Sequence, residues 1–165
     1  MNQITITPQA PAEVSALGLA VPDFTVPATG GDFTLSVHRG HPVVLYFYPR
    51  DNTPGCTTQA QQFRDLHAEF VKAGCVVMGI SRDSLKSHEG FKRKFDLPFE
   101  LISDIEGALC RMFDVVKNKM MYGKKVLGIE RSTFLIDAHG VLRQEWRATK
   151  ADGNAAAVLD AVMKL

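Results

Sequence analysis

Residues 41–48, HPVVLYFY, are apolar or aromatic at nearly every position, the pattern of a strand buried on both faces and so central in its sheet. Residues 75–81, CVVMGIS, predict a second buried strand. Between the two, Ala60, Phe63, Leu66, Phe70 and Val71 recur at helical spacing up to Ala73-Gly74, a helix stop. Leu85, Phe91 and Phe95 offer a second helix face in DSLKSHEGFKRKF; Leu97-Pro98 ends it, and PFELIS supplies a short strand. Ser103-Asp104-Ile105-Glu106 has the Ser-x-x-Glu form of a capping box, with Ile105, Leu109 and Met112 as the stripe of the short helix it opens. KNKMMYGKKVLGIE, basic and interrupted by glycine, predicts an exposed loop. Residues 132–136 (STFLI) and 141–146 (VLRQEW), joined by Asp137-Ala138-His139-Gly140, predict a hairpin. ADGNAAAVLDAVMKL, with Val158 and Val162 among its apolar positions, predicts a last helix.

Residues 1–20 are rich in Ala, Pro and Gln and read as an N-terminal arm. In VPDFTVPATGGDFTL two prolines and Gly30-Gly31 punctuate short extended pieces, which predicts an N-terminal β-hairpin extension on one domain spanning 21–165. Strands alternating with helices before a late hairpin define an α/β class, a central mixed β-sheet flanked by helices. A thioredoxin-like fold satisfies this order. A flavodoxin-like sheet fits the first half, but its phosphate loop calls for glycines or Ser/Thr clusters where this chain has a cysteine.

Composition narrows the partners. The 165 residues, 45% of them apolar, can bury a core without covalent staples. With 19 basic and 18 acidic residues the net charge is +1, which leaves no electrostatic footprint for nucleic acid or an anionic membrane. Cys56, Cys75 and Cys110 are an odd set that fits neither a disulfide framework nor a zinc site, and points to a reducing compartment. MNQITITPQAPAEV has no basic residue ahead of an apolar stretch, and no run approaches the roughly 18 apolar residues of a membrane span, so the expected location is cytoplasmic.

The chemistry concentrates in YFYPRDNTPGCTTQAQQF. Thr53 can serve as N-cap and Pro54 can take the first helical position, which places Cys56 in the first turn. Free amide N–H groups and the positive end of the helix dipole favour a thiolate there. Cys56, Ala60 and Phe63 share the face that packs on the sheet, so the sulfur is expected at the bottom of a narrow pocket shielded by Pro49. A buried thiolate needs a fixed cation. Arg131, directly ahead of STFLI, is the first candidate, and Arg50, in the loop itself, the second.

Pro49 to Cys56 carries the Pro-x-x-x-Thr-x-x-Cys signature of peroxiredoxins, and FYPRDNTPGCTTQA resembles the bacterioferritin comigratory protein (Q) subfamily. Similarity continues through VVMGISRDSLKSHEGFKRKFDLPFELISD and RSTFLIDAHGVLR, nearly all the chain from about Val21 onward. The resemblance implies a thioredoxin-like fold and a thiol peroxidase acting on hydrogen peroxide and organic hydroperoxides. By it Cys56 is the peroxidatic cysteine, Thr53 bonds thiolate and peroxide, Pro49 screens the pocket and Arg131 activates the thiol. It implies no metal or flavin, and a monomer or weak homodimer.

One departure shapes the expected mechanism. Many members of the subfamily carry a resolving cysteine five residues after the peroxidatic one, where this chain has Gln61; others carry it in the following helix, here SLKSHEGFKRKF. Both positions lack a cysteine, which predicts a one-cysteine enzyme reduced by an external thiol: thioredoxin, glutaredoxin or glutathione. Cys75 and Cys110 read as core residues, with Cys110 as an alternative, unusual resolving partner. A peroxide sensor that oxidises a partner through the same cysteine is the rival function; a thioredoxin-type oxidoreductase is disfavoured by the lack of Cys-x-x-Cys. His38, His41, His67, His88 and His139 show no pair at metal-ligand spacing and are expected at the surface or in turns. Tyr46 and Tyr48 are expected to pack beside the pocket.

Overall fold

The structure, a computed structural model, describes residues 14–165 apart from the side chains at 119 and 121; most of the predicted arm over 1–20 lies outside the described residues. In chain order the elements are β1 (Thr25–Val26), β2 (Phe33–Thr34), β3 (Val43–Phe47), α1 (Pro54–Lys72), β4 (Val76–Ser81), α2 (Leu85–Lys94), β5 (Glu100–Ser103), α3 (Ala108–Met112), β6 (Val116–Met121), β7 (Lys124–Ile129), β8 (Ser132–Ile136), β9 (Leu142–Trp146) and α4 (Asn154–Met163).

Five strands form the main sheet in the order β5-β4-β3-β8-β9, with β3 parallel to β4 and antiparallel to β8. Every residue of β3 is buried, as the apolar run predicted. Alternation along it sends Val44, Tyr46 and Tyr48 to one face, where they meet Cys56, Ala60, Phe63 and Phe70 of α1, Phe91 of α2, and Val158 and Val162 of α4. Val43, Leu45 and Phe47 point the other way, into a second core with Leu109, Cys110 and Met112 of α3 and Phe24, Val26 and Phe33 of the β1–β2 hairpin. The mixed sheet covered on both faces is the thioredoxin-like architecture read from the sequence.

Close approach explains one glycine. A Cβ at Gly79 of β4 would lie 2.8 Å from Leu101 Cδ2 and 2.9 Å from the Tyr46 ring end, so only the bare backbone lets Tyr46 lie across its neighbour strand. The β1–β2 region also covers the β5 edge, through the Ala28–Ile102 bridge and the Ser103 N–H donated to Pro27 O. The Ala20–Val141 bridge lies beyond the start of β9, at the opposite side of the sheet.

Three local expectations are corrected. KNKMMYGKKVLGIE is not a loop but most of the β6–β7 hairpin, a separate two-stranded sheet turning at Tyr122-Gly123, where both residues have positive φ. Its lysines masked the alternation that marks a strand. Ser103 does not cap α3: its hydroxyl donates to Asp83 O, and the Asp104 carboxylate accepts from the Leu109 and Cys110 amides instead. Ile105 is exposed, because α3 begins only at Ala108. His88 is fully buried rather than at the surface. Among the described residues no helix is long and apolar enough to cross a membrane.

Candidate active site

The β3–α1 connection carries the site. Thr53 is the N-cap of α1 by backbone position and Pro54 opens the helix, so Cys56 stands in the first turn, 1% exposed. The amides of that turn have no partner within the helix, and they surround the sulfur with partial positive charge. The Thr53 hydroxyl does not cap the helix; it donates to the Arg50 carbonyl oxygen at 2.8 Å and braces the turn. Asn52, at φ 63, gives the turn its left-handed step. Pro49 is half-buried at the end of β3, and Arg50 is exposed.

The cation comes from the neighbouring strand. Because Phe47 pairs with Ser132 across the β3–β8 ladder, Arg131 falls at the end of β3 where the chain turns toward α1. Its Nη2 donates to Cys56 Sγ at 3.5 Å and its Nη1 donates to Gln59 Oε1 at 2.7 Å. A Cβ on Gly55 would lie 3.1 Å from Nη2, so glycine there leaves room for the guanidinium. Of the two candidate cations, Arg131 is the one placed against the sulfur.

Gln59, Thr133 and Asn154, which no motif singles out, complete the surroundings together with Tyr46, expected beside the pocket. Gln59 is fully buried and donates through Nε2 to Asn154 Oδ1 at 2.9 Å, which Thr133 Oγ1 also reaches at 2.8 Å. Tyr46 stacks on Phe63 at 4.5 Å between ring centres, and its hydroxyl is buried with no hydrogen-bond partner. Burial first, then the charges of Cys56 and Asp51, push its phenol well above the ordinary range, so it stays neutral.

On the other flank Asp51 ties the turn to α2. Its carboxylate accepts from Tyr48 OH at 2.6 Å and Ser87 Oγ at 2.8 Å and lies 2.8 Å from His88 Nδ1, while its amide donates to Asp83 Oδ2 at 2.9 Å. His88 Nε2 faces the Ile102 carbonyl at 2.9 Å and therefore carries a proton. Asp51, Asp83 and His88 bring their ligand atoms within 4.8 Å of one another, but those atoms are engaged with each other and with Tyr48, Ser81 and Ser87. The donor set is that of a hydrogen-bonded junction and does not fit a metal ion. No sequence spacing announces it, because Asp51 and His88 stand 37 positions apart.

The other thiols lie elsewhere. Cys75 follows the far end of α1, whose 19 residues span about 28 Å. Cys110 is buried in the core on the opposite face of the sheet from Cys56. A disulfide needs Cα atoms within about 7 Å; the length of α1 lies between Cys75 and Cys56, and the sheet lies between Cys110 and Cys56.

A thioredoxin-like sheet with a buried cysteine at a helix N-terminus and an arginine on its sulfur defines a class of thiol-based redox enzymes. The chain belongs to the AhpC/TSA family, whose model matches residues 17–145. It is 52% identical over 150 residues to the peroxiredoxin Bcp of Xanthomonas campestris, covering 90% of this chain and 94% of that one. To the peroxiredoxin Bcp of Bacillus subtilis it is 46% identical over 144 residues, 87% of this chain and 92% of the relative. The solved structure of the X. campestris bacterioferritin comigratory protein superposes with a TM-score of 0.81 at 52% identity over 85% of this chain and 90% of that one. A cysteine-to-serine mutant of Xylella fastidiosa PrxQ superposes with a TM-score of 0.86 at 39% identity over 93% and 98%. The chain is thus an enzyme, a thiol peroxidase of the Bcp/PrxQ subfamily of peroxiredoxins.

Proposed function

We propose that Cys56 is the peroxidatic cysteine of a one-cysteine enzyme that reduces hydrogen peroxide and organic hydroperoxides to water and alcohols and is restored by an external thiol. The observation that carries this reading is the Arg131 guanidinium on the buried Cys56 sulfur at the head of α1. The thiolate attacks the terminal peroxide oxygen. An S–O bond forms as the O–O bond breaks, the sulfur loses two electrons, and the departing alkoxide takes a proton to leave as alcohol or water. Arg131 and the free amides of the Gly55-Cys56 turn offset the charge that develops on the departing oxygen. Thr53 joins them when its hydroxyl turns from the Arg50 carbonyl toward the bound peroxide, and Pro49 walls the pocket.

The sulfenic acid then has no resolving thiol within reach. One external thiol condenses with it to a mixed disulfide and water, and a second releases Cys56 and leaves as the disulfide. Thioredoxin, glutaredoxin and glutathione are the reductants of suitable chemistry. The three free thiols support action in a reducing, cytoplasmic compartment, and the resemblance to the subfamily supports a monomer or weak homodimer, with residues 21–165 as the working domain.

Peroxide consumption with each reductant in turn, and the mass of the peroxide-treated protein, test the reading. Wild type is expected to gain one oxygen on the Cys56 peptide and to turn over with at least one thiol, and Cys56→Ser to consume nothing. Consumption by Cys56→Ser at the wild-type rate sinks the peroxidase assignment. A Cys56–Cys110 or Cys56–Cys75 linkage sinks the one-cysteine mechanism alone.

A further inference from the structure

We propose that Asn154, the first residue of α4, is a positioning residue for the peroxidase site, acting through Gln59 on Arg131; this rests on the function proposed above. The polarity of the buried chain carries the argument. Arginine can only donate, so Gln59 must turn Oε1 to Arg131 Nη1, 2.7 Å away. Its Nε2 then points the opposite way and needs an acceptor, because an amide N–H left unpaired in the core costs its full desolvation. Asn154 Oδ1 is that acceptor, at 2.9 Å.

Asn154 is itself oriented from two sides. Thr133 Oγ1 on β8 lies 2.8 Å from the same Oδ1, and Asn154 Nδ2 faces Thr149 Oγ1 at 3.5 Å. Reversing the Asn154 amide would set Nδ2 against Gln59 Nε2, donor to donor, so Gln59 is fixed in the one orientation that serves Arg131. Gln59, Thr133 and Asn154 are 0%, 0% and 3% exposed, so water cannot stand in for a missing partner.

The segment that holds Asn154 is stitched to the same parts of the site. The Thr149 amide donates to Arg131 O at 2.9 Å, Gln62 Nε2 donates to Asp152 Oδ1 at 2.7 Å, and the Gly153 amide donates to Gln62 Oε1 at 2.9 Å. Gln59 and Gln62 are neighbours three apart on α1, so that helix presents one amide to the arginine relay and one to the α4 entry. Arg131 is thereby held at its backbone by Thr149 and at its guanidinium by Gln59, and both restraints lead to α4. A guanidinium freed to swing loses its aim at the sulfur, and a misplacement of an ångström in a preorganised site is enough to slow the chemistry many-fold.

The test compares Asn154→Leu, which keeps the size and removes the acceptor, with Asn154→Asp, which keeps an acceptor toward Gln59, and places both in a cycle with Gln59→Leu. Two rates are read: alkylation of Cys56 by iodoacetamide at neutral pH, which needs no peroxide, and trapping of the sulfenic acid after mixing with hydrogen peroxide. N154L is expected to lower both about tenfold, N154D to stay within about threefold of wild type, and Q59L/N154L to be no slower than Q59L alone. If N154L does not fold, Asn154→Ser takes its place; serine is well tolerated in a first helical turn, its hydroxyl stops short of Gln59, and a loss of at least about threefold in both rates is expected. Wild-type rates in N154L or N154S, an N154D as slow as N154L, or losses that multiply in the double variant overturn the relay. A wild type that alkylates at Cys56 but forms no sulfenic acid with peroxide overturns the peroxidase reading instead, with the relay still readable in the alkylation rates.

Discussion

Burial pushes the Cys75 thiol up to about 12, and burial reinforced by the Asp104 carboxylate pushes Cys110 up as well, so both are held as neutral thiols. Cys56 is equally hidden from solvent but alone has a guanidinium on its sulfur. Iodoacetamide at pH 8 is therefore expected to label Cys56 alone in the folded protein, and all three cysteines after unfolding; peptide mass spectrometry reads the difference. Arg131→Lys replaces a planar fork that serves Gln59 and Cys56 together with a point charge that cannot span both. It is expected to slow sulfenic acid formation about a hundredfold in rapid-mixing experiments. Cys56, Thr53, Pro49 and Arg131 were legible because chain order around a helix start and a strand start, together with a short motif, pointed to them. Gln59 and Asn154 were not: a buried amide has no sequence signature, and its partners lie 72 and 95 positions away.

Strands buried along nearly their whole length read well. β3, β4 and β8 are nearly continuous apolar runs, and β8 occupies the residues predicted for it. The β6–β7 hairpin failed that test because lysines occur along both strands and Ile129 alone in β7 is fully buried. The junction of Asp51 with Tyr48, Ser87 and His88 ties the Cys56 turn to α2 and gives that connection stiffness that its composition does not suggest. Asp51→Ala strips His88 Nδ1, Tyr48 OH and Ser87 Oγ of the carboxylate they share in a buried site; a loss of about 3 kcal/mol in urea unfolding is expected, with a lower rate of Cys56 oxidation. In the β8–β9 turn, burial alone would raise the Asp137 carboxyl, but amides of Val141 and His139 and the Arg143 guanidinium outweigh it and hold it below the usual carboxylate range. A depressed carboxyl contributes stability above its unfolded value near 4 and loses it as pH falls through the lower folded value. Asp137→Asn should flatten that acid limb of the stability curve measured from pH 5 to 2.

At the scale of the molecule the two cores share one sheet, with β3 contributing alternate residues to each. Neither can melt while the other stands, so Trp146 fluorescence, the only tryptophan signal, and far-ultraviolet circular dichroism are expected to report one coincident urea transition. Two separate midpoints would show the cores to be independent. Fold class followed from the order of elements, but the strand order β5-β4-β3-β8-β9 and the docking of α4 on α1 came only with the structure, since alternation tells which residues are inside and not which strand lies next. The wide spacing of the site along the chain bears on synthesis. A ribosome releases Cys56 75 residues ahead of Arg131, and Gln59 95 ahead of Asn154. Until that later stretch emerges and docks, the nascent polypeptide carries an ordinary thiol with no guanidinium to activate it, which spares the half-made protein from oxidising itself before a reductant could approach a finished pocket.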